Sequence, residues 1–232
     1  MMNFRFLVPF SGIILCCLLL SCDDTIIADN TRVIIQGRVV DQFGNPLSNA
    51  LVEVKTTGSS FAASTFLIGD GLTDDNGEFN ITSLFGYNES FEVTIQLDNS
   101  YSDYSYSTNT QTFIPQDFIF DLDTVTLIEL SNFSYDLTRV SGDGNTIDFS
   151  FNYISSQCAE VFVDGVINEN ASQCYDMATS GSMLGDDNPD FSSSFSTQLG
   201  SEVEFRYTIN NGVEMSQILN INNENYAFEF TY

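Results

Sequence analysis

Thirty-two aspartates and glutamates stand against six lysines and arginines, and the chain contains no histidine. Without an imidazole, Ser-His-Asp and Cys-His nucleophiles in their usual forms are excluded, and so are the commonest zinc sites. What remains is oxygen chemistry. Three polar loops offer hard oxygen ligands: Asp74 to Glu78, then Asp143 and Asn145 with Asp148 nearby, then Asp186, Asp187 and Asp190. Calcium, which takes roughly six to eight oxygens from flexible loops, is the cofactor such residues would suit. None of the loops follows the spacing D-x-[DN]-x-[DN]-G-x5-E, and Asp, Asn and Gly are also what ordinary turns are made of. Two carboxylates about 5–9.5 Å apart would suffice for glycoside hydrolysis. With so many carboxylates, pairs at that separation arise by chance, and no deep cleft is implied. A third group is aromatic. Tyr101, Tyr104 and Tyr106 lie in a polar stretch, where they can stack on a sugar ring or a peptide, or simply cover a sheet edge.

The elements that must carry these residues read as strands. Val33, Ile35, Gly37 and Val39 alternate with Ile34, Gln36, Arg38 and Val40, the period-two pattern of a β-strand. Asp41 to Pro46 breaks the run, with Gly44 and Asn45 tolerant of positive φ. Ala50, Val52 and Val54 alternate again, and Thr73 to Phe79 forms a second tight turn. Phe91, Val93, Ile95 and Leu97 mark a further strand. Phe118, Phe120 and Leu122 are followed in opposite phase by Val125 and Leu127, so a bulge is predicted at Asp123-Thr124.

The pattern Gly37, Val39, Asp41, Gly44, Pro46, Leu47, Ala50, Val52, Val54, followed by Thr73, Asp74, Gly77 and Phe79, resembles the carboxypeptidase regulatory-like domain. The resemblance spans roughly residues 31–130. It implies a prealbumin-like β-sandwich common in bacterial envelope proteins, and it brings no catalytic residues with it. One departure is the long segment between Lys55 and Thr73, read as an inserted loop or an extra edge strand.

Residues 1–21 read as an export signal: Arg5 supplies a positive region and residues 7–20 are nearly all apolar, too short for a comfortable membrane span. Leu19-Leu20-Ser21-Cys22 resembles the lipobox of bacterial lipoproteins, which makes Cys22 the lipidated residue. Cys16 and Cys17 lack a small residue before them. Diacylglycerol and an N-acyl (palmitate-like) chain bury many methylenes, at about 0.8 kcal/mol each, and two or more chains anchor stably. Asp23-Asp24 just after the cysteine resembles either a surface-export signal or an inner-membrane retention signal; the β-rich, Asn/Ser-rich style favours the outer surface. Asp24-Thr25-Ile26 and Asp123-Thr124-Val125 resemble the D-[ST]-aliphatic O-glycosylation pattern of some envelope bacteria. Export leaves Cys158 and Cys174, sixteen positions apart, most simply a disulfide in an oxidising envelope. Closing such a loop stabilises by about 3 kcal/mol in the chain-entropy treatment.

The remainder also reads as β. Ile147, Phe149, Phe151 and Tyr153 form one strand; residues 160–163 and 166–167 flank Asp164-Gly165 as a hairpin with a primed turn. Val203, Phe205, Tyr207 and Ile209 lead to Asn210-Asn211-Gly212, and Tyr226, Phe228, Phe230 and Tyr232 form a further strand. The expectation is an all-β protein of two β-sandwiches. A signal peptide (1–21) and a tether (22–31) precede the regulatory-like sandwich (32–130). An immunoglobulin- or fibronectin-like sandwich (131–232) follows and carries the disulfide. A net charge of −26 argues against nucleic acid as a partner and against docking by charge on anionic lipid. The expected protein is non-catalytic and held at the outer membrane by its lipid, presenting its modules to a glycan or envelope protein. A structural spacer or accessory subunit of an uptake or secretion complex is the alternative, and a glycan-active hydrolase a distant third.

Overall fold

The computed structural model describes residues 30–57 and 65–232. The signal segment, Cys22, Thr25 and most of the tether lie outside the described residues. The first seven strands are β1 (Thr31–Val40), β2 (Leu51–Thr57), β3 (Thr65–Leu72), β4 (Glu78–Phe85), β5 (Ser90–Gln96), β6 (Asp103–Asn109) and β7 (Ile119–Thr126). After them come β8 (Leu130–Thr138), β9 (Ile147–Ile154), β10 (Gln157–Val163), β11 (Val166–Ile167) and β12 (Gln173–Cys174). The last five are β13 (Met177–Leu184), β14 (Phe191–Gln198), β15 (Glu202–Ile209), β16 (Met215–Asn220) and β17 (Asn225–Thr231). No helix occurs among the described residues, as the period-two patterning predicts.

The first sandwich packs the sheet β4-β1-β7 against a longer sheet ordered β3-β2-β5-β6-β10-β11. Val33, Ile35, Val52, Val54, Phe79, Phe85, Phe91 and Val93 fill the space between them. Burying each such side chain is worth about 1.5–3 kcal/mol. Between Lys55 and Thr73, β3 is the extra edge strand, paired to β2. The predicted bulge is present. Gln36 pairs with Asp121 but Arg38 with Thr124, and Asp123 takes φ 52° in the unpaired stretch.

The regulatory-like motif residues each have a local task. The Asp41 carboxylate accepts from the Phe43 and Asn45 amides and from Asn45 Nδ2, all at 2.8 Å, closing the first turn. Burial opposes its ionisation, but the bonds from Asn45, Phe43 and Gly44 outweigh it and hold Asp41 below the ordinary carboxylate range. Buried Thr73 donates to Leu47 O at 2.6 Å and accepts from Ala50 N at 2.9 Å, which ties the two turns together. Gly77 has φ 76°, and a Cβ there would sit 2.3 Å from Val39 O. Gly37 leaves room for the Phe79 ring, which a Cβ would meet at 2.9 Å.

The second sandwich packs β13-β9-β15-β16 against β14-β8-β17, four strands on three. Seven strands is the number expected of an immunoglobulin- or fibronectin-like domain. Its core is aromatic: Phe133, Tyr135, Phe149, Phe151, Phe205 and Phe228 sit together, with Phe133 stacked on Phe195 at 4.8 Å and Phe151 on Phe205 at 4.8 Å. β17 runs parallel to β8.

The disulfide hairpin departs from the expected partition. Cys158 and Cys174 are bonded, directly opposite each other on β10 and β12. Asp164 and Gly165 make the predicted primed turn, with φ 53° and 75°. Yet β10 does not join the second sandwich. It lies parallel to β6, Cys158 opposite Tyr104 and Glu160 opposite Tyr106, and Cys158 packs in the first core. Thus the second half contributes strands to the first sheet. Tyr175 seals the joint: its hydroxyl donates to Thr126 O at 3.0 Å and lies 2.9 Å from Ser102 Oγ.

Candidate ligand-binding cleft

The docked hairpin creates a cleft of about 380 Å³ at the open side of the first sandwich. Tyr104 and Tyr106 from β6, Phe120 from β7 and Phe162 from β10 line it, with Phe113 from the connection before β7. Glu160 lies inside it, and Asp121 and Asp123 stand on the β7 side. Each is positioned by a distinct piece of local structure. Parallel pairing of β10 with β6 puts Glu160 and Phe162 over the tyrosines. The bulge carries Asp123, and Asp121 is held toward β1 by Gln36 Nε2 at 2.8 Å. Gly165 in the hairpin turn allows close approach to Phe113, whose ring a Cβ would meet at 2.6 Å. The rings contact in pairs, Tyr106 with Phe162 at 4.6 Å and Phe113 with Phe120 edge-on at 5.9 Å.

The polar groups are arranged around half-buried Glu160. Tyr104 donates its hydroxyl to Glu160 Oε2 at 2.6 Å. Burial, with that bond and the neighbouring carboxylate charge, drives the Tyr104 phenol strongly upward, so it stays protonated. Burial likewise pushes Tyr106 up to about 12. Both phenols are therefore neutral throughout the physiological range.

The structure places the three tyrosines, read from sequence as stacking residues or as cover for a sheet edge, against the first core. Tyr104 and Tyr106 are 7 % and 6 % exposed and belong to the core; Tyr101 is half-buried against it. Alternation showed that Tyr104 and Tyr106 share a face, but not which face. Phe113, Phe162 and Glu160 were missed, because only a pairing between strands about fifty residues apart assembles them.

The calcium candidates fare differently. Asp143, Asp186 and Asp190 do converge, but on Arg139. Its guanidinium bonds Asp186 and Asp143, the latter at 3.2 Å, and also Asn145 O at 3.4 Å. The Arg139 amide donates to Asp190 at 2.9 Å, and Gly144 N donates to Asp186 at 2.8 Å. The Gly144 bond and the guanidinium hold Asp186 below the usual carboxylate range. A side-chain cation thus stands among three of the carboxylates considered as calcium ligands. Asp148 lies on β9 opposite Thr208, and Asp187 is exposed. Among the described residues, Cys158, Glu160 and Cys174 bring ligand-type atoms within 4.8 Å of one another, but both sulfurs are used in the disulfide.

No protein-family model matches the sequence, and no curated protein matches it. Solved structures give matches at low similarity. One is the Bacillus anthracis TIE protein, at 17 % identity and TM-score 0.33 over 88 % of this chain and 34 % of that one. Another is the shaft pilin SpaA from Lactobacillus rhamnosus GG, at 7 % identity and TM-score 0.31 over 87 % of this chain and 97 % of that one. The tip fimbrial protein Mfa3 from Porphyromonas gingivalis, with C-terminal truncation, matches at 9 % identity and TM-score 0.30 over 82 % of each. The chain spans about a third of the TIE protein's length.

Proposed function

We propose that this is a lipid-anchored, non-catalytic binding protein of the bacterial outer surface, its first sandwich of the carboxypeptidase regulatory-like kind. The observation that carries the binding reading is the cleft. Five aromatic rings and a half-buried carboxylate converge in a volume within the range of small-ligand sites. Both halves of the chain are needed to build it. Aromatic faces against a few fixed polar groups suit a sugar ring, and a glycan is the ligand class proposed. The lipobox-like Leu19 to Cys22 supports the anchor. Titrating the full-length lipoprotein in detergent with short oligosaccharides tests the binding. Saturable heat that Phe162→Ala abolishes is expected; an absence of heat with every oligosaccharide would overturn it. Metabolic palmitate labelling lost in Cys22→Ser is the result expected of the anchor, and label retained by that variant would contradict it.

The spacer reading has one specific support. The chain passes between the two sandwiches three times, after β7, after β9 and after β12, rather than through one simple linker. Cross-linking in intact cells to a membrane barrel would favour it.

A further inference from the structure

We infer that the cleft selects a ligand bearing a protonated amine beside an apolar face, and that an amino sugar with a free amine is the occupant of that chemistry and size. This rests on the binding reading above and narrows it. The charged groups of the lining are all carboxylates: Glu160, Asp121 and Asp123, with no lysine or arginine among the described lining residues. Arg38 donates to Asn76 O, beside Asp121 and Asp123 in an adjoining groove, and Arg139 bonds Asp186 in the second sandwich. Glu160 accepts the Tyr104 hydroxyl on Oε2. A carboxylate offers about four acceptor positions, so capacity remains for a donor in the cleft. Because Glu160 is half-buried, a charged donor gains more there than on open surface. Aromatic faces add to this, since a cation over a ring is attracted by its quadrupole. Half-buried Phe162, backed by the Tyr106 ring at 4.6 Å, supplies a ring for the apolar face of a pyranose. The phenols cannot compete as anions, because burial keeps both protonated. The whole chain, at −26, repels carboxylated or sulfated sugars and draws cationic ones toward it.

The test is isothermal titration of the full-length lipoprotein in detergent with a short β-linked glucosamine oligomer and with its N-acetylated counterpart. A trimer keeps attraction to the general acidic surface small. Tighter binding of the amine form by about tenfold or more, lost in Glu160→Gln, is the expected result, since a hydrogen bond to a charged group contributes on that scale. Gln keeps an acceptor for Tyr104, and an unchanged melting temperature would show that the variant is folded. Equal affinity for the two oligomers would overturn the amine selectivity while leaving glycan binding intact. Amine-selective binding that survives both Glu160→Gln and Phe162→Ala would place the sugar on the outer acidic surface and overturn the assignment to the cleft. Binding of neither oligomer would overturn the inference, and the wider oligosaccharide panel then decides whether the binding reading falls with it.

Discussion

At the scale of single residues, glycine and aspartate set the first sandwich. Gly77 combines a left-handed backbone with a carbonyl 2.3 Å from where a Cβ would stand. Gly77→Ala should therefore destabilise the fold by about 2 kcal/mol or more, since the strained backbone and the clash cost in the same direction. Chemical denaturation measures this, and an unchanged midpoint would contradict it. Asp74 closes the turn before it, accepting from Glu78 N at 2.9 Å and Asn76 N at 2.8 Å, and those bonds hold its carboxyl low. Arg139 is the counterpart in the second sandwich. Because its guanidinium already satisfies Asp143 and Asp186, a chelator should leave the melting temperature where it is. A fall of several degrees would mean that a divalent ion binds after all. The sequence named the carboxylates of this cluster but not the arginine, because nothing in local spacing says that residue 139 meets residue 186.

At the scale of elements, what the sequence reveals is local. The Asp164-Gly165 turn, the bulge at Asp123 and the edge strand after Lys55 all follow from neighbours a few positions apart, where turn chemistry and side-chain phase act. The Cys158–Cys174 bond was legible on another ground, as the one pair left over in an oxidising envelope, and the structure sets it across β10 and β12. Hidden was the parallel ladder of β10 with β6, which joins positions more than fifty apart and leaves no periodicity behind. The cleft inherits that invisibility. Its tyrosines stand out by type, and alternation shows that Tyr104 and Tyr106 share a face without saying which. The disulfide fastens the strand that carries Glu160 and Phe162. Replacing both cysteines by serine should cost about 2–4 kcal/mol of stability. It should also speed amide exchange in β6 and β10 more than in β8 or β9. Faster exchange spread evenly over both sandwiches would count against a local role for the hairpin.

At the scale of the whole molecule, charge and architecture act together. A chain with 32 acidic and six basic residues resists association with anionic partners and leaves cationic or neutral ones. The two hydrophobic cores are separate, one aliphatic with aromatic patches and one mostly aromatic. Yet the chain crosses back after β9, so the second half completes the sheet of the first before returning to finish its own. The cleft depends on β10 docking against β6, so it needs the segment after β9 as well as the first half. The most direct test is an aromatic-resolved NMR titration of the protein with the glucosamine trimer. Shifts confined to Tyr104, Tyr106, Phe113, Phe120 and Phe162 are the predicted result. Shifts centred on the rings of the second core, or none at saturating sugar, would contradict it.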